Sequence, residues 1–474
     1  MVFSSTIFLF FFLPATLVGY FLINPKFKNT FLLIMSIFFY AWGEPKFIFV
    51  MMGSIFINYI FGLLVDKYRN NKKIAKLFIG LMVIFNVTVF FIYKYLNFTI
   101  ENLNIVFNDK IQQTNFALPI GISFFTFQAM SYVMDVYKNK GKSQKNPLNV
   151  ALYVMLFPQL IAGPIVRYET VSNEINNRSE TINDFSEGVK RFIIGLSKKV
   201  ILSNSVAIIA DKAFGYTNLS QISVGLAWLG ALAYSLQIFF DFSGYSDMAI
   251  GLGRMFGFHF DENFNYPYIS KSVSEFWRRW HISLSTWFRD YVYFPLGGSR
   301  VDSKKRLVFN LFVVWLLTGI WHGASWNFIV WGLYYFLILT FEKLSGIPNK
   351  FSSLLSKLLY RVFTLLYVIF GWVLFRASDL SYAIGYIRSM FGLNDNPLTS
   401  KYCTFLMQEN YIILIISIIF CTQISKKAKE ICDIYVFPNK IISILTPVTY
   451  IILFIICIAY TVTSTYNPFI YFNF

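Results

Sequence analysis

Residues Leu77 to Leu96 read LFIGLMVIFNVTVFFIYKYL, a run whose only charge, Lys94, stands near its end. A helix rises 1.5 Å per residue, so a run of this length measures roughly 30 Å, the thickness of a bilayer's hydrocarbon. Comparable apolar runs recur over the whole chain. They place spans near 3–23, 29–43, 47–65, 77–96, 117–136, 188–210, 224–252, 307–321, 326–343, 359–376, 410–425 and 441–462. The fold expected is all-α: a polytopic transmembrane helix bundle of about 11–12 spans with re-entrant or interfacial helices. Residues 148–165 are apolar but broken by Pro158 and Pro164, and read as a re-entrant piece. A membrane β-barrel would instead alternate over segments of about 10 residues.

Composition agrees. Of 474 residues, 56% are hydrophobic and only 14% charged. Soluble domains carry roughly 25% charge. Too little polar surface exists here for a soluble enzyme, a disordered scaffold or a secreted disulfide-rich module. The charge of +17, from 41 basic and 24 acidic residues, would suggest nucleic acid in a soluble protein. In a membrane chain it reads as topology-setting loop charge, and no nucleic-acid module accompanies it. Cys403, Cys421, Cys432 and Cys457 form no CxxC pair, so neither a disulfide framework nor a metal site is expected. The run from Phe3 to Phe21 lacks a positive leader and a small-residue cleavage site, and reads as a retained first span.

Basic clusters set the expected orientation. Lys67, Arg69, Lys72, Lys73 and Lys76 follow the third span, and Lys138, Lys140, Lys142 and Lys145 the fifth. Lys304, Lys305 and Arg306 precede the span at 307, and Lys426, Lys427 and Lys429 follow the span at 410. Alternation puts all four on one side, the cytoplasm. The chain is then a multi-pass protein of the cell membrane with both termini extracytoplasmic and the Asn/Gln-rich stretch 97–116 outside. No repeat of 20–50 residues appears, and residues 1–474 read as a single membrane-embedded domain.

Three blocks carry candidate chemistry. Residues 254–306 are too polar for a span and too aromatic for a solvated loop. From Val273 to Tyr293 the pattern fits an amphipathic helix, with Glu275/Arg279, Trp277/His281 and His281/Ser285 at i,i+4. It is either an interfacial helix with snorkelling Arg278 and Arg279, or a re-entrant element carrying polar groups into a protein-lined cavity. The second block, Asp241-Phe242-Ser243-Gly244-Tyr245-Ser246-Asp247, puts two carboxylates inside an apolar span. Such residues are functional candidates or members of a hydrogen-bonded network joining helices. Ser243 and Asp247, at i,i+4, are placed to support each other. The third, Thr318-Gly319-Ile320-Trp321-His322-Gly323-Ala324-Ser325-Trp326-Asn327, holds one of only three histidines, the others being His259 and His281. A lone buried His is commonly a satisfied core residue. Gly319 and Gly323 on either side of His322 permit close approach of another backbone or a ligand, and an imidazole takes a proton near neutral pH. No HxxxH or HExxH spacing supports zinc, and no GxSxG elbow supports a serine triad. A single His acting as base on a hydroxyl acceptor needs only an activated acyl group such as a thioester.

At these residues the chain resembles the membrane-bound O-acyltransferase family, in the bacterial branch of alginate O-acetyltransferase membrane subunits and teichoic-acid D-alanyl transfer proteins. The matching stretches are Gln128–Tyr132 with Asp135-Val136-Tyr137, Phe157–Leu160 with Gly163–Arg167, the Asp241–Asp247 block, Asn263–Arg300, Trp321-His322-Gly323 and the C-terminal Phe469-Ile470-Tyr471-Phe472. The resemblance implies catalysis by His322 with His281 at the family's second polar position. It also implies acyl transfer, acetyl rather than D-alanyl by length, from a cytoplasmic thioester to a hydroxyl of an extracytoplasmic polysaccharide. Acetyl-CoA or an acylated carrier would be the donor, with no tightly bound cofactor. An extracytoplasmic SGNH-type acyltransferase or esterase would be a partner. Asp241, Ser243, Asp247, Trp321, Gly319, Gly323 and Asn327 would line the substrate and donor path, with its cytoplasmic mouth among Arg278, Arg279 and Arg300. His322, about 15 residues beyond Arg306, would stand ~22 Å up its span. A transporter or flippase is the competing class, but it predicts inverted repeats and paired broken helices, which the sequence lacks. A non-catalytic scaffold for a polysaccharide synthase would tolerate loss of His322.

Overall fold

The computed structural model describes residues 1–107, 110–161, 163–424, 427, 439–463 and 466–470. Among the described residues every regular element is helical. Eight helices are long and apolar enough to cross a bilayer: Ile48–Lys67, Lys72–Phe107, Ile182–Phe214, Val224–Met255, Trp326–Ser345, Leu354–Arg376, Lys401–Phe420 and Leu445–Thr463. The other expected spans are also helical, but shorter or more polar: Phe8–Leu22, Lys28–Ala41, Ile122–Tyr137 and Lys304–His322. The run at 77–96 belongs to a longer helix. It begins at Lys72, passes through a π-helical turn at Phe91–Tyr95 and ends at Phe107, so the polar stretch 97–116 begins as helix. The expected re-entrant piece is a short helix, Pro147–Met155, capped by Asn146, whose Oδ1 accepts from Leu148 N at 3.0 Å. Pro158 then follows in buried, irregular chain.

The chain divides into two compact units. The first comprises Met1–Phe192 and Tyr245–Glu262. Small and amide side chains join its helices. Asn58 and Asn86 exchange side-chain hydrogen bonds of 3.1 and 2.9 Å, satisfying both buried amides between apolar faces. Gly188 and Gly251 meet backbone to backbone, each Cβ position lying 2.6 Å from the other's carbonyl oxygen. Any side chain there would force those helices apart. Arg191 forms ion pairs with Asp247 at 2.6 Å and Glu262 at 2.5 Å.

The second unit comprises Ile193–Gly244 and Asn263–Phe474. Its centre is a helical hairpin of Lys304–His322 and Trp326–Ser345. Ser303 starts the first arm, its hydroxyl accepting from Arg306 N at 3.2 Å. Gly319 and Gly332 let the arms touch: a Cβ on Gly319 would lie 2.6 Å from the Phe328 carbonyl oxygen. Leu354–Arg376 packs on the second arm through Tyr334 and Tyr367, stacked at 4.0 Å. Each of these hydroxyls donates to the other residue's carbonyl, at 2.9 and 2.7 Å. Cys403, Cys421 and Cys457 are buried and unbridged; Cys432, Tyr471 and Phe472 lie outside the described residues.

Candidate active site

His322 is the last residue of the hairpin's first arm, where the helix stops at Gly323 in extended conformation. It is buried, with its ring edge-on to Trp321 and Trp331 at 4.9 Å each and to Phe375 at 5.2 Å. Next in the chain, Ser325 donates to Asn327, whose amide donates to the Ala377 carbonyl at 2.8 Å. Asn327 thus ties the hairpin turn to the end of Leu354–Arg376.

His281 reaches the same place from a different element. The amphipathic helix expected over Val273–Tyr293 does not form as one piece. It is two short helices, Val273–Arg279 and Ile282–Phe288, followed by a π-helical turn at Arg289–Tyr293. His281 stands in the break at φ 45° and ψ 53°, a left-handed conformation uncommon for a side-chain-bearing residue. The segment before it holds the break open. Asn263 Oδ1 accepts from Ser283 N at 3.1 Å and Ser283 Oγ at 2.9 Å, and Ile282 N donates to the Asn263 carbonyl at 2.9 Å. The Trp277/His281 and His281/Ser285 pairings therefore do not lie along one helix, whereas Glu275 and Arg279 do pair, at 2.8 Å. Phe276, Trp277, Trp280, Trp287 and Phe288 are all buried, which favours the element carried into protein over the interfacial helix. The His281 ring lies 6.1 Å from that of Trp321. One indole therefore adjoins both histidines, 41 residues apart in sequence. Burial pushes the His281 pKa down, so the imidazole is neutral near pH 7.

The remaining predicted residues separate. Asp241 is fully buried in an ion pair with buried Lys199 at 2.6 Å and accepts from Ile470 N at 2.9 Å. Lys199 also donates to the Pro468 carbonyl. This pair clamps the segment 466–470, and burial of both charges is tolerable because each is matched. Ser243 Oγ has no hydrogen-bond partner among the described residues, so its expected support of Asp247 is not formed. Asp247 belongs to the first unit, with Arg191. The room expected at Gly319 and Gly323 is filled by the second arm, a Cβ on Gly323 overlapping the Phe328 ring. These glycines close the hairpin.

Arg278 and Arg279 line a cleft of about 650 Å³ with Lys271, Glu275, Glu342 and Lys343; Arg300 is not part of it. Glu342 is occupied structurally. Its carboxylate accepts from Val273 N at 2.9 Å, Ser274 N at 2.8 Å and the Tyr360 hydroxyl at 2.8 Å, capping the N-terminus of Val273–Arg279. Arg278, exposed and without an ion pair among the described residues, adds positive charge to the cleft. Trp277, Tyr335 and Trp331 were not singled out by sequence because buried aromatics are ordinary core. Their rings pack at 4.9, 5.1 and 5.6 Å and stand between the cleft residues of their helices and His322.

A family model described as "MBOAT, membrane-bound O-acyltransferase family" matches residues 77–371, which include both histidines and the cleft. The chain is 38% identical to a probable alginate O-acetylase AlgI of Pseudomonas putida over the full length of both. It is 44% identical to that of Pseudomonas aeruginosa over 82% of this chain and 75% of the relative. A peptidoglycan O-acetyltransferase of Helicobacter pylori is 37% identical over 83% of this chain and 80% of its own.

Proposed function

This chain belongs to the membrane-bound O-acyltransferase family and is a multi-pass O-acyltransferase, and from that premise we propose that it acetylates hydroxyls of a cell-surface polysaccharide from a cytoplasmic thioester, with His322 as general base. The observation that carries the mechanism is the setting of His322. It is a buried imidazole at a helix end, among aromatic rings, with a second buried imidazole beside the same indole.

His322 takes the proton from an acceptor hydroxyl as its oxygen bonds to the thioester carbonyl carbon. The resulting oxyanion collapses, the carbon–sulfur bond breaks, and the thiolate leaves with the proton returned by His322. His281, neutral and held at a fixed angle, orients the acceptor or the base. The cleft at Lys271, Arg278, Arg279 and Lys343 suits an anionic donor such as acetyl-CoA or an acylated carrier, which remains cytoplasmic because charge does not cross hydrocarbon cheaply. Only the thioester arm travels inward. The basic loops support a cell-membrane location with both termini outside, and an SGNH-type protein outside as acceptor or partner. End-to-end likeness to an alginate O-acetylase supports acetyl as the group moved.

Mass spectrometry of the surface polysaccharide from cells with and without the gene tests the substrate: ester-linked acetyl disappears on deletion. His322→Ala tests the base. With the variant inserted at the wild-type level, ester output falls by roughly 10²–10⁴. Normal output from that variant would remove His322 from the chemistry and favour a scaffold.

A further inference from the structure

Among the buried hydrogen-bond donors of the second unit that have no partner among the described residues, three sit on rings packed together: Trp277 Nε1, Trp331 Nε1 and Tyr335 Oη. Native interiors rarely leave such groups unsatisfied, and an unmet donor beside a reaction centre calls for an explanation. Trp331 and Tyr335 are fully buried and lie one helical turn apart on the second arm of the hairpin. Ile338, Leu339 and Glu342 continue the same buried face, which runs about 16 Å from the cleft at Glu342 to Trp331. At its far end the Trp331 ring meets His322 at 4.9 Å. Gly371 makes room for the Tyr335 hydroxyl, since a Cβ there would overlap it. A hydroxyl accommodated by a missing side chain, with no hydrogen-bond partner among the described residues, is spare hydrogen-bonding capacity set in apolar surroundings.

We propose that Trp331 Nε1 and Tyr335 Oη are the hydrogen-bond donors for the acyl donor's carbonyl groups. Tyr335 binds an amide carbonyl of the incoming arm, and Trp331 binds the thioester carbonyl oxygen beside His322. As the acceptor hydroxyl adds to the thioester carbon, the carbonyl π electrons move to oxygen, and the Trp331 N–H meets the negative charge that forms. Collapse restores the carbonyl as the thiolate leaves. A donor fixed in a dry site is worth far more to that oxyanion than one in water. An amide-bearing thioester arm, thin and uncharged with spaced carbonyl acceptors, has the chemistry that these two buried donors would meet. The inference rests on the reading of His322 as base.

Trp331→Phe and Tyr335→Phe each remove a donor and keep a ring. Ester-linked acyl groups on the surface polysaccharide are measured by mild base release, at matched membrane levels, alongside thermal unfolding of the purified variants. Tyr335 Oη has no protein partner among the described residues, so Tyr335→Phe keeps or raises the wild-type unfolding temperature, whereas Trp331→Phe also empties part of a fully buried ring site and lowers it. Acyl output nevertheless falls, by about 10²-fold for Trp331→Phe, as for loss of one oxyanion donor, and several-fold for Tyr335→Phe. Unchanged output from either variant overturns its assignment. For Tyr335→Phe, output and unfolding temperature falling together also overturns it, since the hydroxyl would then serve a structural bond; for Trp331→Phe, a fall in output no greater than the loss of folded protein does the same. His322→Ala, run in parallel, separates the two ideas. Normal transfer in that variant defeats the base while leaving the Trp331 and Tyr335 results to stand or fall by themselves.

Discussion

His281 combines two properties whose effects on a substitution differ. Its backbone is left-handed and its imidazole is buried beside Trp321. His281→Ala removes the ring and places alanine in a conformation that Asn tolerates better. His281→Asn retains a polar side chain in that conformation. We expect His281→Asn to reach the membrane at the wild-type level while ester output drops at least several-fold. Membrane yield and ester release per unit protein check this, and full output from the Asn variant would assign His281 to backbone geometry. The chemistry-bearing types were visible at this scale, because a histidine in an apolar chain stands out. The unpartnered indoles were not, because Trp and Tyr give the same signal whether or not their polar atoms find partners.

Among elements, the hairpin of Lys304–His322 and Trp326–Ser345 positions His322, and glycine sets its spacing. A Cβ on Gly332 would press on the Trp315 carbonyl oxygen and lie 3.1 Å from Gly319 Cα. Leucine at Gly319 or Gly332 meets backbone, which cannot yield as a side chain does. The cost exceeds the about 1–3 kcal/mol of ordinary overpacking. Gly332→Leu and Gly319→Leu are therefore expected to cut recovery of folded protein from membranes, scored by a single symmetric peak on size exclusion. Gly319 is thus a helix contact rather than the open room expected beside His322. The broken element at Val273–Phe288 was hidden for a related reason. Its i,i+4 spacing is that of a continuous helix, and the break depends on Asn263, distant in sequence, bonding to Ser283 and Ile282.

For the whole molecule, orientation decides the direction of transfer. In a background without native cysteines, single cysteines at 70–73, 140–145 or 426–429 should be shielded from impermeant thiol reagents in intact cells, and one at 104–112 labelled. The reverse pattern would turn the cleft to the outside and exclude a cytoplasmic donor there. The helical membrane class and helices at every expected span were legible in sequence. Bilayer thickness dictates run length, and backbone groups in hydrocarbon must bond within their own helix. Both histidines were legible as rare residues, together with the family resemblance. Tertiary structure decided the rest. It placed one indole against His281 and His322, turned Asp241 into a clamp on the C-terminal segment, assigned Asp247 to Arg191, and spent the glycines on helix contact. Each outcome depends on which distant side chain arrives beside a residue. Local sequence constrains a helix's length and faces, but its partners are selected only when the helices pack.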